Sequence, residues 1–424
     1  MPITQAELSR RIRAAREACG LTQEQVAERL GVSRSAIVQI EQGKRSVSSL
    51  ELDRLAHLFG RDIREFVAES FEEESTLAAL FRAEADVLDQ PSAAEAIRDC
   101  VALGREVRNL EQLLGIESAE GAPASYPVPP PVSRWDAIQQ GERIAKDERR
   151  RIGLGATALP DLAQLLEMQG VRTGMVDLPD DVSGLTLNDA RHGLFVIANR
   201  AHHVLRRRFS FAHEYAHVLA DRSRFGFVSR SSERDNLVEV RANAFAASFL
   251  MPEEGVREFL VGLGKGSPSR TSSDVFDESA SIRVEGRTVP GSQAVQLYDV
   301  VQLAHHFGVS LIACLYRLRN LRFLTDTEFH DLRQLDESGQ GRAIASKLGF
   351  PEPDHEEARN WFRQRVLGLA LEAYRREEIS HGKLVELLAS VGVQRDAVDQ
   401  LLEETGLAER AGGGIGDDDA RSEE

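Results

Sequence analysis

The stretch Arg208-Phe209-Ser210-Phe211-Ala212-His213-Glu214-Tyr215-Ala216-His217 decides how the middle of this chain is read. It contains H-E-x-x-H. On an α-helix, residues four apart share a face, so His213 and His217 point the same way. Two imidazoles on one face can hold one zinc ion, with Glu214 beside them as a general base. The bland alternative is a surface helix carrying two solvated histidines. A zinc enzyme needs three protein ligands and one open position for water, so the surrounding chain has to supply a third ligand.

Downstream, Glu239 to Pro252 reads as a second helix, Ala-rich on a face that can pack closely and stopped by Pro252. Glu239 falls near its first turn. If the two helices pack antiparallel, Glu239 faces His213 and His217 and completes a His₂Glu set. Asn243, one turn on, can hydrogen-bond to a ligand from outside the set. Upstream, Trp135–Leu154 and Asp161–Gln169 read as helices. Val171–Leu178, Gly184–Asn188 and Gly193–Ala198 read as three short strands. The expectation is a small mixed sheet in front of the H-E-x-x-H helix. Tyr215 points off the ligand face and reads as packing. His202 and His203 read as a surface loop or strand end, with substrate contact the weaker alternative.

R-x-R-F-S-x-A-H-E-x-x-H followed by E-x-x-A-N-x-F-A-A-x-x-L-M-P resembles the ImmA/IrrE family of bacterial metallopeptidases, which cleave transcriptional repressors. The resemblance implies an α+β zincin-like domain over residues 134–320. It implies one Zn²⁺ per chain on His213, His217 and Glu239, with Glu214 as the base for peptide hydrolysis. It also implies a protein substrate, a transcriptional repressor or the chain itself, and a structural ion pair for Arg208.

The first 67 residues carry a different signal. Thr4 with Glu7, Thr22 with Gln25 and Ser48 with Glu51 each form a capping box, and each has an apolar staple pair. A helix from Thr22 stops at Gly31, and Ser33 caps the next, which runs to about Gln42. The gap is a helix-turn-helix turn. Ser33, Arg34, Ser35 and Gln39 form an exposed face suited to reading base edges, with Gln23, Lys44 and Arg45 placed for phosphates. Ile12, Val26, Ile37, Ile40 and Leu55 are among the expected core. This run resembles the Cro/CI (XRE) family of repressor domains. The resemblance implies a five-helix domain over 1–67, double-stranded operator DNA as partner, and a homodimer on paired half-sites.

With 11 Lys/Arg and 9 Asp/Glu, residues 1–67 are at +2 in a chain at −16. The acidic total argues against a protein that coats nucleic acid over its whole surface. The three cysteines, Cys19, Cys100 and Cys314, are far apart and odd in number, as expected of buried thiols in a reducing cytoplasm. No leader-like or membrane-length apolar run is seen, so a cytoplasmic location with no membrane partner is expected.

The reading is therefore a mainly α, multi-domain chain. Residues 68–118 form a helical connector, read as either a dimerisation element or a packing layer. Residues 119–133 form a Pro-rich, extended, semi-rigid linker. Residues 321–407 form a helical C-terminal region, and 408–424 a disordered acidic tail. Gly262 to Pro290 reads as a mobile loop. His305 and His306 read as non-ligands, and the H-F-G-V-S turn after them as packing. Two functions other than catalysis fit the same residues: a DNA-binding regulator whose metal domain only senses or binds a partner, and a component of a toxin–antitoxin or mobile-element system.

Overall fold

The computed structural model describes residues 3–61, 63–69, 71, 91–116, 123–189, 193–222, 226–233, 235–265, 270–277, 280–287, 293–351 and 357–407. Five helices open the chain: α1 (Gln5–Ala18), α2 (Gln23–Leu30), α3 (Arg34–Glu41), α4 (Ser49–Leu58) and α5 (Ile63–Val67). The capping boxes at Thr22 and Ser48 are closed in both directions. At Thr4 the hydroxyl still accepts from the Glu7 amide, but the Glu7 carboxylate pairs with Arg10 and Arg11. Gly31 ends α2 at φ 70°, in the left-handed region that a Cβ disfavours. Ile12, Val26, Ile37, Ile40 and Leu55 close the core as expected, joined by Phe59 and Phe66. Arg16 of α1 bridges Glu41 of α3 at 2.6 Å with both groups largely buried, which fixes α3 against its support.

The second part is built on a four-stranded sheet in the order β1-β3-β2-β4. The strands are β1 (Val171–Val176), β2 (Val182–Asp189), β3 (Gly193–Asn199) and β4 (Gly226–Arg230). β1 runs parallel to β3, and the other pairs are antiparallel. Three strands match the sequence reading. β4 was not foreseen, because a five-residue Gly-Phe-Val-Ser-Arg run carries little pattern until β2 pairs with it.

Alternation along β3 sends side chains to two different cores. Leu194, Val196 and Ala198 join the cluster containing Phe211 and Tyr215 of α9 (Val204–Ala220). Phe195 and Ile197 face Ile97 and Val101 of α6 (Pro91–Leu113). Of the two roles left open for the connector, α6 is thus a packing layer on the sheet. The approach is close: a Cβ at Gly104 would overlap Phe195, and one at Gly174 would overlap the Cys100 sulfur. The other connector positions, Leu77, Leu80, Phe81, Val87 and Leu88, lie outside the described residues.

α8 (Leu162–Met168) packs on β1 beside α9, and α10 (Leu237–Leu250) packs along both α9 and α7 (Arg134–Arg151). Gly141 is where α7 and α10 come closest. A Cβ there would overlap the Arg241 carbonyl oxygen and lie 2.8 Å from the Phe245 nitrogen. Backbone cannot yield as a side chain does. Gly141→Ala is therefore expected to destabilise the fold by about 1–3 kcal/mol, read as a lower urea midpoint with the slope unchanged.

Two further expectations change here. The Pro-rich segment is extended, but it is not a free spacer. Tyr126 donates its amide to Leu219 O at 2.8 Å and its hydroxyl to Glu148 at 2.9 Å, while Arg222 holds the carbonyls of Pro123 and Ala124. The stretch from Gly262 to Pro290, expected as a loop, follows α11 (Glu253–Gly262) and contains an antiparallel hairpin, β5 (Arg270–Asp277) with β6 (Ala280–Arg287). Its Ser, Gly and charge content hid the β-formers Thr271, Val275, Phe276, Ile282 and Val284. Arg208 donates to the carbonyls of Leu159 at 2.7 Å and Pro160 at 2.9 Å.

Helices α12 (Leu297–Phe307), α13 (Leu311–Asn320), α14 (Asp326–Glu337) and α15 (Gln340–Lys347) extend the large core through Phe307, Leu315 and Phe329. The H-F-G-V-S turn is thus packing, as read. Helices α16 (Glu357–Arg375), α17 (His381–Ser390) and α18 (Arg395–Glu404) form a separate cluster on Leu110 and Leu114. Buried Glu111 pairs with both Arg172 and Arg365, joining α6, the sheet and α16. The acidic tail from 408 lies outside the described residues. Among the described residues, no helix is long and apolar enough to cross a membrane.

Candidate metal centre and nucleic-acid interface

α9 begins at Val204, capped by the His203 side chain on the Leu205 amide, and it runs unbroken through the H-E-x-x-H turn. His202 is not on the surface. It is buried against Asn199 and the Asp180 carbonyl, and burial lowers its pKa. Tyr215 packs between Phe245 and Phe249, with its hydroxyl on Glu148, as its off-face position required.

The two histidines meet α10 in reverse order along the chain. His213 Nδ1 lies 3.0 Å from Asn243 Oδ1, while the later His217 lies beside the earlier Glu239. His213 Nε2 is 3.0 Å from Glu239 Oε2 and His217 Nε2 is 3.3 Å from Glu239 Oε1, with the two Nε2 atoms 3.3 Å apart. One ligand atom from each of the three residues falls within 4.8 Å of the others, and all three side chains are buried. The geometry therefore brings together the set expected from sequence.

The donor chemistry fits a metal ion. His217 Nδ1 is 3.1 Å from Asp221 Oδ2, and a carboxylate can only accept, so the Nδ1 proton points outward. Asn243 Oδ1 plays the same part for His213. Both Nε2 lone pairs then converge on one point beside an anionic carboxylate, which is repulsive unless a cation is shared. A proton is the simplest such cation: burial disfavours a charged His217 ring, yet the Asp221 and Glu239 carboxylates outweigh it and push its pKa up to about 10, and a divalent metal would displace that proton. Burial would also raise Glu239, but the two histidines hold it well below the carboxylate range.

Glu214 lies under β2. Its Oε2 accepts from the Thr186 hydroxyl at 2.7 Å, and its Oε1 has no hydrogen bond. Complete burial raises its pKa, so the group is poised to hold a proton. The carboxylate fits because residue 184 is glycine: a Cβ there would sit 3.1 Å from Glu214 Oε1 and 2.8 Å from Ile197 O. The Phe227 ring of β4 stacks on His217, with centroids 4.3 Å apart and planes 12° apart.

Five residues of this centre were not singled out from sequence. Gly184, Thr186, Asp221, Phe227 and Arg241, whose guanidinium pairs with Asp221, belong to no short motif. Only Asp221, four residues after His217 and so on the ligand face, carried a usable signal.

In the first part, Ser33, Arg34, Ser35 and Gln39 are exposed along the start of α3, and Lys44 is exposed beyond it. Ser33 caps α3 through the Ala36 amide. Gln23 donates to Glu41 at 2.8 Å and Arg45 bridges Glu51 at 2.5 Å, so both are held from within the domain.

Residues 12–66 match a family model described as helix-turn-helix, and residues 168–265 match one described as IrrE N-terminal-like domain. Over 51 residues the chain is 45% identical to an uncharacterized HTH-type transcriptional regulator of Methanothermobacter thermautotrophicus, covering 12% of this chain and 74% of that protein. The crystal structure of Bacillus thuringiensis PlcR in complex with the peptide PapR7 and DNA aligns over 96% of this chain and 100% of that chain. Its 12% identity and TM-score of 0.15 are too low to imply a shared fold. With α2, α3 and α4 inside one match and both α9 and α10 inside the other, the chain belongs to the HTH-type transcriptional regulators and carries, in the same polypeptide, an IrrE N-terminal-like domain of a peptidase family.

Proposed function

We propose that the chain is a sequence-specific DNA-binding transcription regulator whose second part is a zinc-dependent endopeptidase acting on a repressor, another regulatory protein or the chain itself. The observation that carries the catalytic half is the convergence of His213, His217 and Glu239 with Glu214 on the same turn. Bound there, one zinc ion per chain would supply Lewis acidity to a peptide carbonyl and to an attacking water. Glu214 takes the water proton and returns it to the leaving amine. Thr186 holds one Glu214 oxygen and leaves the other for that exchange. Asn243 and Asp221 keep the histidine Nε2 atoms turned inward. The test is to incubate the full chain with and without zinc and to follow its own fragments and those of a host proteome.

A non-catalytic reading has one observation in its favour. Glu214 is fully buried and His217 is 1% exposed under Phe227, so the centre is closely covered on that side. A chain that binds zinc tightly and cuts nothing, even with operator DNA present, fits a sensor or partner-binding module.

For the DNA half, double-stranded operator DNA and a homodimer on paired half-sites are the proposed arrangement. Arg34→Ala and Gln39→Ala are each expected to cost about 1–3 kcal/mol at a cognate site and to relax preference there. Lys44→Ala should weaken binding evenly across sequences and lower the salt slope by about 1. Unchanged preference in the first two variants, measured by binding to a randomised operator pool, would move the reading face elsewhere.

A further inference from the structure

Beyond the three ligands, one largely buried chain of side chains runs from His217 across three helices. His217 Nδ1 donates to Asp221 Oδ2 at 3.1 Å. The other Asp221 oxygen accepts from Arg241 Nη2, and Arg241 Nη1 donates to Gln140 Oε1 at 3.3 Å. Arg241 is 2% exposed and sits two residues after Glu239 on α10. Gln140 adjoins Gly141, where α7 and α10 touch backbone to backbone. Asp221 is therefore held in place from outside α9, by the same helix that brings Glu239.

We propose that Asp221 is a positioning residue for the metal centre, oriented by Arg241, which fixes the Nδ1–H tautomer of His217 and sets the affinity for a divalent cation. The inference rests on the metal-binding part of the proposed function and not on turnover. A carboxylate on the outer nitrogen makes the inner one a better donor and stops the ring from rotating. Arg241 neutralises the charge that Asp221 would otherwise bury alone. An asparagine at 221 could still accept from His217 through its oxygen. It would then turn an NH₂ group toward the Arg241 guanidinium, donor against donor.

The test measures zinc affinity of the full chain by competition with a chromophoric chelator, together with the visible spectrum of the cobalt-loaded protein. Asp221→Asn is expected to weaken zinc binding about 10- to 100-fold and to change the cobalt bands, with the metal-free circular dichroism kept. Arg241→Met should weaken it in the same direction. Zinc affinity within twofold of wild type and an unaltered cobalt spectrum in both variants overturn the proposal. Because either variant could fail to fold, a second measurement uses the wild-type chain alone: ¹⁵N resonances of the zinc-loaded protein should show His217 ligating through Nε2 with a proton on Nδ1. Ligation through Nδ1 overturns the proposal. A wild-type chain that binds no zinc overturns the metal reading and this inference with it.

Discussion

Glu214→Gln is expected to abolish zinc-dependent cleavage while leaving zinc binding intact. The substitution keeps the shape of the side chain and its contact with the Thr186 hydroxyl, but an amide cannot take a proton from water. General-base contributions run to about 10²–10⁴-fold, so cleavage should fall to the edge of detection. Burial already raises the Glu214 pKa, so the glutamine form costs little to fold and resembles the protonated state. The decisive comparison is fragment yield against zinc stoichiometry in the same preparation. Cleavage that persists in the variant at more than about a tenth of wild type sinks the base assignment. Lost zinc would mean that Glu214 holds the site together instead.

The second large effect is on stability. A ligand that binds only the folded chain stabilises it by RT ln(1 + [L]/Kd), or about 4 kcal/mol at a thousandfold excess over Kd. The three ligand atoms are brought together from two helices 22 residues apart at their nearest members, His217 and Glu239, so the unfolded chain has no such site. Zinc should therefore raise the melting temperature in a concentration-dependent way, and a chelator should reverse it. Glu239→Gln removes the carboxylate that both histidines share and should erase most of that shift. A wild-type melting temperature that ignores zinc from equimolar to millimolar levels would falsify the metal assignment, whatever cleavage is seen.

Both effects trace to a site that was half legible. His213, Glu214 and His217 share one helical turn, and Glu239 with Asn243 share the first turns of another, so spacing alone could pair each group. What joined the two helices was packing of Phe245 and Phe249 of α10 against Tyr215 of α9, with α7 backing α10 at Gly141. The residues that finish the centre come from elsewhere: Thr186 and Gly184 from the strand beneath, Phe227 from the neighbouring strand β4, where it pairs with Thr186, and Arg241 from the next step of α10.

The same division holds for the whole chain. Caps, glycine stops and apolar periodicity act within about four residues, so the first four helices, the motif helix and the Ala-rich helix follow from sequence by itself, while the fifth opening helix came only from the family resemblance. The exposed face of α3 follows too, because its buried residues Ile37 and Ile40 leave the rest outward. Strand β4, the β5–β6 hairpin and the docking of α6 needed the fold. Their stabilisation comes from partners distant in sequence: β2 for β4, each strand of the hairpin for the other, and Gly174 and Phe195 for α6. Which oxygen orients His217 is likewise a tertiary decision, since Asp221 becomes a fixed acceptor only when Arg241 on α10 reaches it.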